Sequence, residues 1–437
     1  MSENWGSATR QVHAGYVAGV PQNTAVVPIY QTSAYEFENF QAAADIFALR
    51  TPGNLYSRTG NPTSAALERR IAALDGGVAA LATASGQSAL VIALLALAKT
   101  GQHIIASDQL YGGSVDLLGD TFADFGIDVT FVDARDASAW ASAVRPTTRA
   151  FFLESIGNPT ALIPDLDGIA AVAHESDIPL VVDNTIATPY LLRPLDFGAD
   201  VVVYSATKFL GGHGNSLAGV IVDGGTFDFG ARPERWPQYT TPSERFGGIV
   251  FWDHFGAEKS AYLAYAKAKL SHDLGPALSP FNAFQILQGV ETLDIRVRKQ
   301  TDSALEVARF LASHPAVAAV HHPGIGAHPD GDRARRYFPL GVGSVFAFDL
   351  AGPPELVGPF IDALALFTLV ANIGDVRSLV VHPATTTHSR LTVAQRFRAG
   401  ISLTTIRLSV GLEDPADLTA DLDQALATLA QLTEALA

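Results

Sequence analysis

Lys208 stands where an apolar run opens into a glycine-rich turn, in "DVVVYSATKFLGGHGNSLAG" (Asp200–Gly219). Lysine and arginine together make up only 29 of 437 residues, so this lysine is not there through abundance. An amine held at the end of a rigid strand can attack a carbonyl and move a proton. The same lysine in a tight loop is only a solvated charge. Other segments end in the same manner. "ATAS" closes on Ser85 and continues through Gly86 and Gln87 into a helix-like run. "FFLES" closes on Glu154 and Ser155 and is followed by Gly157-Asn158-Pro159. "LVVDN" closes on Asp183, and "VVVYSAT" on Ser205 and Thr207. Singly, each has a plain reading: Ser85 as a helix N-cap, Asp183 as a turn cap, Lys208 as a surface charge.

One chemistry needs all of them, that of pyridoxal phosphate. The aldehyde needs a lysine amine, Lys208, with which to condense. The ring nitrogen needs a buried carboxylate, Asp183, to stay protonated. The phosphate needs backbone N–H groups at a helix start and hydroxyls. Gly86, Gln87, Ser85, Ser205 and Thr207 offer these. The ring face needs an aromatic neighbour, which Tyr111 in "DQLYGGS" supplies. "GGHGNS" lacks the order of a nucleotide P-loop. His321, His322 and His328 lie in a Pro/Gly loop with no second cluster at ligand spacing, so no metal is expected.

The elements that must position these residues are legible as a pattern. Between about Val78 and Gly225, β-rich runs alternate with helix-length stretches. The runs are "VAALATAS", "HIIASD", "IDVTFVD", "RAFFLES", "IPLVVDN", "ADVVVYSAT" and "SLAGVIVDG". Continuous apolar strands separated by helices predict an α/β unit with a mostly parallel seven-stranded sheet covered on both faces. Ligands of such sheets bind at the carboxyl ends of the strands. Gly224–Gly248, rich in proline, glycine and aromatics, is expected to be an ordered loop over a site or an interface. Pro280–His314 is a long amphipathic stretch leading into a second α/β region, with strands in "SVFAFDL" and "ISLTTIRLSV" and a closing helix at Pro415–Ala437. The first segment, containing Pro21, Pro28 and Pro52, reads as an arm. The expected division is an arm at 1–58, a large domain at 59–279 and a C-terminal domain at 280–437.

Composition narrows the partners. Apolar residues make up 48% and charged residues 17%, a globular balance. "ALVIALLALA" (Ala89–Ala98) is shorter than the roughly 18 residues a spanning helix needs. "MSENWGSATRQ" has no basic stretch leading into an apolar one, so no secretory signal is expected. A net charge of −15 argues against nucleic acid and anionic membrane. The absence of cysteine removes disulfides and thiol nucleophiles and fits a cytoplasmic enzyme.

The chain resembles the fold-type I pyridoxal-phosphate enzymes of cysteine and methionine metabolism. "TRQVHAGY", "PIYQTSAYEF", "YSRTGNPT", "ATASGQSAL", "ESIGNPT", "VVDNTIATP", "DVVVYSATKFLGGHG", "HPATTTHS" and "IRLSVGLED" follow the family's order, and together they cover nearly the whole chain. The resemblance implies that Tyr56 and Arg58 bind the phosphate of a neighbouring subunit's site. It implies that Arg407 clamps the substrate α-carboxylate with Asn158 and Asn372 assisting, Asn158 also touching the cofactor. Tyr111 would stack on the ring and act in proton movement. Gly224–Gly248 and "LVANIGDVRSLVVHPATTTHS" are most similar to the O-acetylhomoserine sulfhydrylases within this family. The implied activity is a transferase step of methionine biosynthesis. Sulfide replaces the acyl group of an O-acylated homoserine to give homocysteine, in a homo-oligomer, expected to be a tetramer, with shared active sites. Cystathionine synthesis and γ-elimination are the competing activities, and a non-catalytic phosphate-ligand binding protein is the distant one. His272 stands where that subgroup carries arginine, and "RKQTDSA" replaces an Arg-His pair.

Overall fold

The computed structural model describes residues 5–16 and 23–436; Pro21 and Ala437, named above, lie outside the described residues. Seven strands form the main sheet: β1 (Ala79–Thr83), β2 (His103–Ser107), β3 (Asp128–Val132), β4 (Thr148–Glu154), β5 (Leu180–Asp183), β6 (Val201–Ser205) and β7 (Gly219–Asp223). Their spatial order is β1-β7-β6-β5-β4-β2-β3. β7 runs antiparallel to both its neighbours, and every other pairing is parallel.

The apolar runs become strands because both sheet faces are covered. In β6, Val201 and Val203 enter one buried cluster while Val202 and Tyr204 enter the other. A one-residue slip would only exchange two apolar faces, so pairing with β5 and β7, not polarity, sets the register. Helices Pro62–Asp75 and Gly86–Leu95 close the two faces.

The second sheet holds β8 (Val317–His321), β9 (Val345–Leu350), β10 (Thr368–Leu369), β11 (Leu379–Val381) and β12 (Thr405–Ser409), in the order β10-β11-β12-β9-β8. β9 and β12 are the expected strands. β8, β10 and β11 carry no sequence signal of comparable length. The amphipathic stretch from Pro280 is two helices, Pro280–Val290 and Leu293–Ser313, and the closing helix runs Pro415–Leu436.

The stretch Gly224–Gly248 is placed by its aromatics. It does not lie over the strand-end cavity of its own chain. Phe229, Trp236 and Tyr239 are buried in the core, and the Tyr239 hydroxyl donates to the Ala96 carbonyl at 2.8 Å. Its aromatics act as core side chains that cover the end of helix Gly86–Leu95. Among the described residues, no helix is long and apolar enough to cross a membrane.

Candidate active site

Five strand ends converge on one cavity of about 220 Å³. Ser85 caps helix Gly86–Leu95, its side chain accepting from the Ser88 N–H in a capping box. The amides of Gly86 and Gln87, first in that helix, have no intrahelical acceptor. Gly86 is pressed onto β6. A Cβ there would lie 2.6 Å from the Ser205 Cβ and 2.8 Å from its Cα, so only glycine lets the helix start meet the strand end.

Asp183 ends β5 and is half-buried in the cavity wall. The Thr185 N–H donates to its Oδ1 at 2.9 Å. Burial raises its pKa, and the bonds from Thr185 partly offset that. The Thr185 hydroxyl oxygen also accepts from the Ser205 N–H at 2.8 Å, which ties the ends of β5 and β6 together.

Lys208 follows β6 in a tight turn. Its Nζ donates to Asn372 Oδ1 at 2.5 Å. Burial, then the positive charge of Arg407, pulls its pKa down to about 8. Arg407 sits in β12 and is 3% exposed. Its Nη1 donates to Asn158 Oδ1 at 3.2 Å and its Nη2 to the Asn372 carbonyl at 3.0 Å. Among the described residues its Nε has no partner and no carboxylate pairs with it. Burial lowers its pKa to about 10. A buried guanidinium without a counter-ion is costly unless a ligand brings the anion. Asn372 therefore bridges the amine and the guanidinium, its side chain on Lys208 and its main chain on Arg407.

The cavity brings together Ser85, Gly86, Gln87, Tyr111, Asn158, Asp183, Ser205, Thr207, Lys208, Asn372 and Arg407. The Thr207 hydroxyl is partly engaged, donating to the Ala218 carbonyl at 3.2 Å and accepting from its N–H at 3.1 Å. Tyr56 and Arg58 are not in this cavity. Tyr56 is 43% exposed. Arg58 Nη1 donates to the His272 carbonyl at 2.6 Å. The sequence reading missed Thr185, Ser114, Leu217 and Thr387, which also line the cavity. The Asp-x-Thr spacing of an Asx turn was the available signal for Thr185.

These residues fit pyridoxal phosphate. There is a half-buried amine, a half-buried carboxylate at a neighbouring strand end, a helix start kept bare by glycine, and an orphaned arginine for an amino-acid carboxylate. The chain belongs to the Cys/Met metabolism PLP-dependent enzyme family, whose model matches residues 8–427. It is 45% identical to the O-acetyl-L-homoserine sulfhydrylase of Leptospira meyeri, over 98% of both chains. It is 43% identical to O-acetyl-L-homoserine sulfhydrylase 1 of Thermus thermophilus, over 96% of this chain and 99% of that one. Among solved structures, a Campylobacter jejuni protein described as an O-acetylhomoserine (thiol)-lyase superposes with a TM-score of 0.93 at 35% identity. That match covers 97% of this chain and 100% of the other, which carries a pyridoxyl-lysine phosphate.

Proposed function

We propose that the chain is an O-acetyl-L-homoserine sulfhydrylase, replacing acetate by sulfide at Cγ to form L-homocysteine for methionine biosynthesis. One observation carries this reading. Lys208 and Arg407 are bridged by Asn372, so an amine and a guanidinium able to clamp a carboxylate face one cavity, as an α-amino acid substrate requires. Full-length similarity to named sulfhydrylases supports the choice within the family. Lys208 and Arg407 are the only cations among the described residues lining the cavity. With one taken by the cofactor aldehyde and one by the α-carboxylate, the chain's own lining offers no third for a succinyl carboxylate, and Arg58 of a neighbouring copy would be engaged by the phosphate, which favours the neutral acetyl ester.

When bound, the cofactor supplies an electron-poor ring that makes the substrate Cα and then Cβ protons acidic. Asp183 holds the proton on the ring nitrogen. Gly86, Gln87, Ser85, Ser205 and Thr207 hold the phosphate, and the Tyr111 ring covers one face. Arg407 takes the α-carboxylate as a two-pronged clamp, steadied by Asn158 and Asn372. The Lys208 amine takes the Cα proton, its low pKa leaving it close to half neutral near pH 8. The Cγ–O bond breaks with its electron pair on acetate, and hydrosulfide forms the Cγ–S bond. Tyr56 and Arg58 serve the neighbouring copy in a homo-oligomer, taken as a tetramer, with 1–58 as the reaching arm, 59–279 as the cofactor domain and 280–437 as the C-terminal domain. A cytoplasmic place suits a cysteine-free enzyme of small metabolites.

The test is a matrix of acyl esters against acceptors. O-acetyl- and O-succinyl-L-homoserine are each offered with sulfide, L-cysteine or water. Homocysteine from the acetyl ester and sulfide should dominate. Dominant cystathionine or 2-oxobutyrate would replace the assignment with a synthase or a lyase. Inertness with all of them would favour the binding-protein reading.

A further inference from the structure

One buried carboxyl at the cavity has no part in the chemistry above. Glu154 ends β4, is 7% exposed and lines the cavity. Its Oε1 accepts from the Tyr111 N–H at 2.6 Å. The Asn158 N–H also faces this carboxyl and favours its charged form. Tyr111 stands at the start of helix Gly112–Asp116 with no side-chain cap, and Asn158 carries the oxygen that receives Arg407 Nη1.

We propose that Glu154 is a positioning residue that fixes the Tyr111 ring and the Arg407 clamp in one frame through the main chains of Tyr111 and Asn158. This rests on the reading of the cavity as the active site. Among the described residues the Tyr111 side chain has no hydrogen-bond partner, so its main chain decides where the ring lies. The room beside the ring is kept by glycine: a Cβ at Gly113 would stand 2.5 Å from a Tyr111 ring carbon. Asn158 likewise places its Oδ1 only as well as its backbone is held. A carboxyl suits the task because it accepts from main-chain amides when ionised and keeps acceptor capacity when protonated. Among the described residues Glu154 has no cationic partner, and burial followed by the neighbouring Asp183 pushes its pKa well above the ordinary range. It therefore works as an acceptor of main-chain amides and not as a counter-ion.

The test compares holoenzyme forms of Glu154→Ala and Glu154→Gln with wild type. Three readouts are taken: visible circular dichroism of the bound cofactor without substrate, kcat and KM for O-acetyl-L-homoserine, and Tm. Glu154→Ala should change the visible dichroism, raise KM severalfold and lower kcat by about 100-fold, the scale of a misplaced reacting geometry. Glu154→Gln, which keeps one acceptor, should recover about tenfold of that loss. Altered Tm with unchanged dichroism, kcat and KM in both variants would overturn the proposal and leave Glu154 a structural residue. If Glu154→Ala does not fold, Glu154→Gln decides alone by its dichroism and KM. Lys208→Ala and Arg407→Ala, assayed alongside, separate the two readings. Should they keep turnover, the site assignment falls. Should they lose it while both Glu154 variants match wild type, only the positioning role falls.

Discussion

Glu154 and Asp183 stand opposite each other in register, side by side at the carboxyl ends of the parallel strands β4 and β5. Both lie in the cavity wall, Glu154 buried and Asp183 half-buried, and their surroundings differ. The Tyr111 and Asn158 N–H groups favour the charged form of Glu154, but burial and then Asp183 push it well up. Burial raises Asp183 too, offset in part by the Thr185 hydroxyl and N–H. Two such adjacent carboxyls do not both ionise readily, and this asymmetry leaves the charge on Asp183.

Asp183→Asn should therefore keep cofactor but lose most of the rate. The amide cannot hold a ring-nitrogen proton by charge, while the phosphate contacts are untouched. Cofactor content by absorbance and kcat by assay check this. Full activity would remove Asp183 from the chemistry.

Lys208→Ala should abolish turnover with the fold intact by circular dichroism. The wild-type amine has a second signature. Its pKa is lowered from the usual lysine range to about 8, so it is protonated and unreactive below that pH and neutral above it. Cofactor association with the apo-protein should quicken about tenfold per pH unit below about 8 and level off above. A rate flat between pH 6.5 and 9 would contradict the assignment.

Arg407→Ala should weaken amino-acid binding by roughly 2–5 kcal/mol, the cost of leaving one partner of a buried charge pair alone. The effect belongs in KM for the ester, with cofactor affinity little changed. An unchanged KM would remove Arg407 from the site.

Asp75 gives a stability prediction away from the cavity. It is fully buried, accepts from the Tyr204 hydroxyl at 2.7 Å, and burial above all raises its pKa from 3.8 to about 7. The folded state then binds a proton that the unfolded chain has already lost between about pH 4 and pH 7. Stability attributable to Asp75 falls as pH rises through that window and is level above it, by up to about 4 kcal/mol. Asp75→Asn should lack this slope and exceed wild type in Tm above pH 7. Parallel Tm–pH curves for the two proteins would refute it.

Shared sites are tested by mixing. A Lys208→Ala chain and an Arg58→Ala chain should each be nearly inactive alone. In a heterodimer of the two, one site inherits both defects and the other inherits neither. Mixing under subunit exchange should restore activity, approaching half that of wild type. Demonstrated heterodimers without recovery would place Arg58 in its own chain's service or in none.

Local chemistry made much of this protein readable from the chain alone. The central strands β5 and β6 are short apolar runs because both faces of the sheet are covered there, and Ser85, Asp183 and Lys208 stand at or just after strand ends. What the sequence could not decide depends on contacts between distant segments. The aromatics of Gly224–Gly248 have the composition of an exposed loop and become core only because helix Gly86–Leu95 offers them a surface. β8 and β11 exist because β9 and β12 supply their pairing, and β10 pairs in turn with β11. Glu154 became significant only when β4 lay beside β5 and the Tyr111 and Asn158 amides turned toward it. The order of residues along the chain determined which groups end each strand, whereas only the tertiary structure decided which ends meet, because strand pairing and burial are set by segments far apart in sequence.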